Sequence, residues 1–174
     1  MFIIADLFLL LIFALFIFWM ITFVYTSFRG SPYVPIKSRR LHTITQFINS
    51  GDRVADLGCG DGRVMVEAAK RGASRVDGWE LDFMVYLTAL RRTLNFPHRS
   101  RLHFHFGDFW HADLTNFNVI YTYQMTKYMG PFQQKLLPQL KKGTLIISPD
   151  YEIPGLRLHQ KITDKDRGIY IYKI

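Results

Sequence analysis

The sequence predicts an α/β fold: a Rossmann-like, doubly wound sheet, mostly parallel with a C-terminal antiparallel hairpin, preceded by one transmembrane helix. Three observations predict it. Strand-like apolar runs alternate with helix-like segments from Arg53 to Ser148, the order that yields a parallel sheet covered on both faces. A glycine-rich turn, Asp56-Leu57-Gly58-Cys59-Gly60-Asp61-Gly62-Arg63, joins the first strand of that series to its first helix. Ahead of both, the 19 residues from Leu7 to Tyr25 contain no charge.

The uncharged run comes first in the chain. As a helix it measures roughly 28 Å at ~1.5 Å per residue, about the thickness of the bilayer hydrocarbon. A cleaved signal peptide would want a basic start, a shorter apolar core and a small-x-small cleavage site. This chain begins Met1-Phe2-Ile3-Ile4-Ala5-Asp6 and leaves the run through Thr26-Ser27-Phe28-Arg29, so residues 1–28 read as a retained anchor. Residues 29–37 read as a linker, because Gly30-Ser31-Pro32-Tyr33-Val34-Pro35 cannot continue a helix. Residues 38–174 are one domain. Arg29, Lys37, Arg39 and Arg40 follow the span and no Lys or Arg precedes it, which places the domain on the cytoplasmic side. Of the 14 acidic residues only Asp6 precedes Arg29, so the rest of the chain carries 22 basic against 13 acidic residues, or +9. Such a surface is drawn to the anionic lipid bilayer, and no nucleic acid is expected because no nucleic-acid-binding module is recognisable. The lone Cys59 cannot form an internal disulfide, as suits a reducing compartment.

Within the domain, Ser38 to Asn49 has helical spacing of apolar residues at 41, 44, 47 and 48. Strand one is Arg53 to Leu57, followed by a helix from Arg63 to Arg71, strand two from Arg75 to Glu80 and a helix from Phe83 to Leu94. Leu102 to Phe106 alternates strictly and forms strand three. Asn118 to Tyr123 is strand four, Phe132 to Leu140 a helix, and Thr144 to Ser148 strand five. Arg157 to Ile162 and Ile169 to Ile174 pair as a hairpin around residues 163–168.

The chemistry concentrates at the carboxyl ends of the strands, where ligands of such sheets sit. Glycines at 58, 60 and 62 allow positive φ and remove the Cβ atoms that would hold a ligand off the backbone, while the N-H groups of the new helix face the same space. Glu80 ends strand two about 20 residues on, where a carboxylate can accept hydrogen bonds from ribose hydroxyls. Asp108 could accept from an adenine amino group, with Phe109 or Trp110 offering a flat face; capping a turn is the alternative role. Cys59 reads as a small spacer. His103, His105 and His111 are near one another, but no Cys or Glu completes a metal-ligand set. A Gly-x-Gly-x-x-Gly site for NAD would need glycine where Arg63 stands, so an NAD-type oxidoreductase is the alternative reading.

The loop resembles motif I of the seven-strand, class I methyltransferases that use S-adenosyl-L-methionine, where an acidic residue opens the loop as Asp56 does. Several further pieces extend the likeness: the anchor, Pro32-Tyr33-Val34-Pro35, Gly78-Trp79-Glu80-Leu81, Asp108-Phe109-Trp110 and Ser148 to Pro154. Together they resemble the membrane-anchored protein-lysine methyltransferases of ATP synthase c-subunit and adenine nucleotide translocase, with their prokaryotic relatives. The resemblance implies that the loop of Asp56, Gly58, Cys59, Gly60, Asp61 and Gly62 holds the methionine part of the cofactor, Glu80 the ribose, and Asp108 with its neighbour Phe109 the adenine, with Arg63 and Leu81 as further cofactor-binding positions. It implies lysine of a membrane protein as acceptor. Tyr33, Tyr123 and Gln124 would line the acceptor channel, ordinary packing being their other reading. Strand four continues as Thr122-Tyr123-Gln124-Met125 and not as the Asn/Asp-Pro-Pro-Tyr of enzymes that methylate nucleic-acid or glutamine amino groups. The chain shows no Arg-rich leader, which favours a bacterial or archaeal plasma membrane over the mitochondrial inner membrane. A membrane-tethered domain that binds cofactor without catalysis is the remaining alternative.

Overall fold

The computed structural model of the chain describes residues 2–31, 33–164 and 167–174. It divides into two compact units, Met1–Pro32 and Tyr33–Ile174. In the first, helix α1 runs Phe2–Arg29, and its stretch Ile4–Thr26 (23 residues, mean hydropathy 2.9) is long and apolar enough to cross a membrane by length and composition.

The second unit carries α2 (Ser38–Thr45), β1 (Arg53–Leu57), α3 (Arg63–Lys70), β2 (Arg75–Glu80), α4 (Phe83–Thr93), β3 (Leu102–Phe106), β4 (Val119–Thr122), α5 (Met129–Lys135), β5 (Leu145–Pro149), β6 (Leu158–Asp164) and β7 (Arg167–Lys173). Seven strands form one sheet in the order β3-β2-β1-β4-β5-β7-β6. The first five are mutually parallel and β7 is antiparallel to both its neighbours. The order reverses between β1 and β4, which opens a crevice above their carboxyl ends. That crevice is where the glycine loop lies.

Alternate residues of the central strands feed two apolar layers. Val54, Val119 and Ile147 pack with Ile44, Met65 and Ala68 on one face; Ala55, Ile120 and Ile146 pack with Leu114, Phe132 and Leu136 on the other. With both faces covered, the central strands read as continuous apolar runs.

Several boundaries differ from the sequence expectation for local reasons. The helix expected from Phe132 begins at Met129, because Pro131 falls in its first turn, where a missing N-H costs nothing. It ends at Lys135, ahead of Pro138, and the chain tightens into a 3₁₀ turn at Leu137–Gln139. α2 closes at Thr45, and Ile48 N-H turns back onto Thr45 O (2.9 Å). The hairpin strands run further than expected toward their turn, whose Lys165 and Asp166 lie outside the described residues, as does Pro32. Within the segment read as a linker, Ile36 is buried with the core, and its carbonyl accepts from Arg63 Nη1 at 2.5 Å.

Candidate active site

The loop after β1 is held by main-chain bonds. Gly58 N-H and Cys59 N-H both donate to Trp79 O, at 3.0 and 2.9 Å, and Gly62 N-H donates to Cys59 O at 3.0 Å. Gly58, Gly60 and Gly62 have φ of +84°, +57° and +76°. At each glycine the direction a Cβ would take faces one of the protein's own side chains. A Cβ on Gly58 would lie 2.6 Å from Gln124 Nε2, on Gly60 2.8 Å from the Tyr33 ring, and on Gly62 3.1 Å from the Phe104 ring. Positive φ and the close approach of the protein's own side chains are what demand glycine here. The loop is a packed object.

Three carboxylates surround it. Glu80 Oε2 accepts from Gly60 N-H (2.9 Å), Oε1 accepts from Asp82 N-H (2.8 Å), and Leu81 N-H faces the same group. Burial nevertheless raises the Glu80 pKa, against the lowering effect of these bonds. Asp61 is also buried, which alone would raise its pKa. Forked bonds from Arg63 (2.9 and 2.6 Å) and the charges of Arg63 and Arg92 (2.7 Å) outweigh burial and hold it below the ordinary value. Asp56 differs from both. It is fully buried, neither carboxyl oxygen has a hydrogen-bond partner among the described residues, and burial, then Glu80, then Asp61 push its pKa well above the usual carboxylate value.

The remaining expected residues fall into place around this loop. Cys59 points inward: a Cβ on Gly78 would collide with Met65 Sδ and lie 2.7 Å from Cys59 Cβ, so the thiol fills the space that Gly78 leaves. Burial raises its pKa well above the usual thiol range. Asp108 Oδ1 caps the 3₁₀ turn Phe109–His111 by accepting from Trp110 N-H (3.0 Å), and the Phe109 and Trp110 rings lie 4.7 Å apart. Gln124 is buried and donates to Leu57 O at 2.8 Å, tying the end of β4 to the loop. Tyr33, 44% exposed, lies over Gly60 with its phenol against Asp61 and Arg63. Tyr123 stands further off, its hydroxyl accepting from Arg167 Nη2 at 2.9 Å. His105 Nε2 lies 2.9 Å from Asp77 Oδ1 and its ring stacks on Trp79.

A second polar cluster is invisible in the sequence. Asp150, just beyond β5, accepts a fork from Arg40 (2.9 and 3.2 Å) and a bond from Arg167 (2.5 Å). Its φ is +65°, the only positive value at a non-glycine position among the described residues. Arg40 reads in the sequence as a surface cation flanking a span, yet it is buried in this ion pair. The signal available is Pro149-Asp150 at the end of an apolar strand, which fixes a turn without saying what meets there.

A family model for the ANTKMT methyltransferase domain matches residues 56–160, from the loop into β6. The chain belongs to the ANTKMT methyltransferase family. Membership brings the class I methyltransferase activity and its donor, S-adenosylmethionine, and removes the NAD reading. Among relatives of this ANTKMT-family chain is a protein-lysine N-methyltransferase of Saccharolobus islandicus (strain REY15A), 28% identical over 150 residues, covering 82% of this chain and 93% of the relative. Another is the lysine N-methyltransferase of the ATP synthase c-subunit from Xenopus laevis, 26% identical over 126 residues and covering 71% of this chain; the match spans only 55% of that relative. In fold, the crystal structure of an RNA methyltransferase from Salinibacter ruber with S-adenosyl-L-homocysteine superimposes with a TM-score of 0.77 at 23% identity, covering 81% of this chain and 94% of that one.

The residues present fit the donor. Asp56 has two carboxyl oxygens without a partner among the described residues, as a cationic amino group would need, and Glu80 keeps lone pairs beyond the two its backbone bonds use, as ribose hydroxyls would need.

Proposed function

We propose that this chain is a membrane-anchored, S-adenosylmethionine-dependent protein-lysine N-methyltransferase whose acceptors are lysines of membrane proteins near the cytoplasmic headgroups. The observation that carries the reading is the coexistence, in one family member, of the packed glycine loop and the 23-residue apolar stretch of α1. The names of the relatives supply the lysine. The segment between Arg29 and Ser38 spans at most about 35 Å when fully extended, so an active site so tethered stays near the lipid surface. Tethering raises the local concentration of membrane substrates without added contact energy.

In this reading the loop from Asp56 to Arg63 holds the methionine part of the donor, Glu80 with Leu81 the ribose, and Asp108 with Phe109 the adenine. When bound, the donor supplies a methyl group already activated by a sulfonium, so no covalent enzyme intermediate is required. The chain's own residues orient the reactants and exclude water. Gln124 braces the loop against β4, and Tyr33 and Tyr123 flank the entry of the acceptor. A lysine entering an aromatic-lined channel is desolvated, which favours its neutral, nucleophilic form.

The test uses membranes from a strain lacking the protein, incubated with labelled donor and the full-length chain. Label on lysines of membrane proteins, lost with Glu80→Ala, is the expected result. Label chiefly on soluble proteins, RNA or lipid would overturn the substrate assignment, and cofactor binding without any transfer would leave only a tethered binding domain.

A further inference from the structure

We propose that Asp150 and Tyr123 form the receptor for the acceptor's ammonium group, and that Arg167 occupies that receptor until the acceptor arrives. The inference rests on the lysine reading above and extends it to named residues that none of the relatives' names assigns. Its starting point is the unequal standing of the two arginines on one carboxylate. Arg40, with a side chain 7% exposed, forks onto both oxygens of Asp150, donates to Gly168 O at 3.3 Å and lies 3.5 Å from Asp164, so it is locked into the fold. Arg167, with a side chain 55% exposed, reaches in from the start of β7 and places one nitrogen 2.5 Å from Asp150 Oδ2 and 2.9 Å from Tyr123 Oη.

Those two oxygens are what a primary ammonium wants. It carries three donors and no acceptor, and the site offers a carboxylate oxygen and a phenol oxygen already converging on one cationic nitrogen. An ion pair whose arginine stands half in solvent is weaker than a buried fork, which is costly to break. An incoming cation therefore exchanges with Arg167 and leaves Arg40 in place. Because Arg40 already balances the carboxylate, the bound ammonium is not held strongly in its charged form and can still shed its proton.

The position is right for the acceptor side of the reaction. Tyr123 precedes Gln124, whose amide bonds Leu57 O and touches Gly58, so the receptor adjoins the cofactor loop across the end of β4. The buried phenol of Tyr121, on the same strand, feels the charges of both Asp56 and Asp150. The φ of +65° at Asp150 turns its carboxylate into this position; an ordinary strand conformation would carry the chain straight on.

The test uses the full-length protein and two independent measurements. In the first, methyl transfer to membranes is titrated with acceptor. Asp150→Asn is expected to leave donor affinity unchanged and raise the apparent acceptor KM at least about tenfold, as loss of a charged hydrogen bond does. Arg167→Gln is expected to lower that KM about two- to fivefold, the worth of an exposed pair removed from competition. Tyr123→Phe, which keeps the ring, should give a smaller rise than Asp150→Asn. In the second, butylammonium serves as a lysine side-chain probe in thermal melting without donor or acceptor. It should stabilise wild type, stabilise Arg167→Gln at lower concentration, and leave Asp150→Asn unmoved. A purely structural Asp150 would make Arg167→Gln and Asp150→Asn impair acceptor use in the same direction, and that result overturns the proposal. Lysine labelling with no Asp150-dependent effect of butylammonium also removes the receptor while leaving the function intact. Asp150-dependent butylammonium binding without lysine labelling keeps the receptor and removes the lysine-methyltransferase reading.

Discussion

The two halves of the crevice are built by opposite means. On the side proposed for the cofactor, residues 56–63 and 78–82 are two stretches of contiguous chain, with main-chain N-H groups fixing the carboxylate of Glu80 and positive-φ glycines shaping the loop. Around the receptor proposed above, Arg40, Tyr123, Asp150 and Arg167 come from four separate parts of the chain and meet through side-chain bonds, with the Gly168 carbonyl taking one bond from Arg40 and one from Asp150 N-H. A site made of backbone is rigid and generic, suited to a donor that never changes. A site made of exchangeable side-chain ion pairs can open for an acceptor.

If that contrast is right, the largest effect comes from disturbing the loop's backbone. Gly60→Val puts a branched side chain at φ +57° and 2.8 Å from the Tyr33 ring. Left-handed strain and overpacking together cost about 2–5 kcal/mol. Calorimetry should find donor binding abolished, while Gly130→Ala, with nothing within 4 Å and no positive φ, leaves it intact. Donor binding that survives Gly60→Val would mean the loop is softer than its packing indicates.

Next in size is Glu80→Gln, which keeps the shape and removes the charge from a group bonded to Gly60 N-H and Asp82 N-H. Donor affinity should fall by about tenfold, the scale of one charge-assisted hydrogen bond, with the acceptor KM unaltered. A change confined to the acceptor KM would blur the division of the crevice.

The smallest effect concerns Asp56, whose folded pKa lies above its unfolded value because it is buried beside the charges of Glu80 and Asp61. Between those two values the folded chain holds a proton that the unfolded chain has released. Stability of the donor-free protein therefore falls as pH rises through that window, and Asp56→Asn should flatten the slope in urea denaturation across a pH series. Donor binding should release a fraction of a proton, seen as a dependence of the calorimetric heat on the buffer's ionisation enthalpy, and the variant should release none.

The same contrast governs what the sequence discloses. β1, β2, β3 and the loop between the first two are legible because their signals are local: period-two alternation at Leu102–Phe106, and glycines at fixed offsets from Glu80. The reason for those glycines is not legible, since Gln124, Tyr33 and Phe104 approach from distant parts of the chain and only the fold brings them there. α5 is displaced from its expected place because Pro131 fits its first turn and lets the helix start at Met129, and Pro138 ends it earlier than its apolar residues suggest. Arg40 shows the limit most plainly. Its charge reads as surface topology, yet Asp150 lies 110 positions away and takes it into the interior.

The partnership of Gly78 with Cys59 also bears on how this chain can be studied. The only sulfhydryl is sealed between β2 and α3, and its burial keeps it in the unreactive protonated form. Maleimides and other alkylating probes should pass the native chain by. A cysteine introduced near Phe2 or in the β6–β7 turn would then be the sole reporter, and impermeant reagents would test the proposed anchoring and its sidedness without first removing a residue that the glycine loop is packed upon.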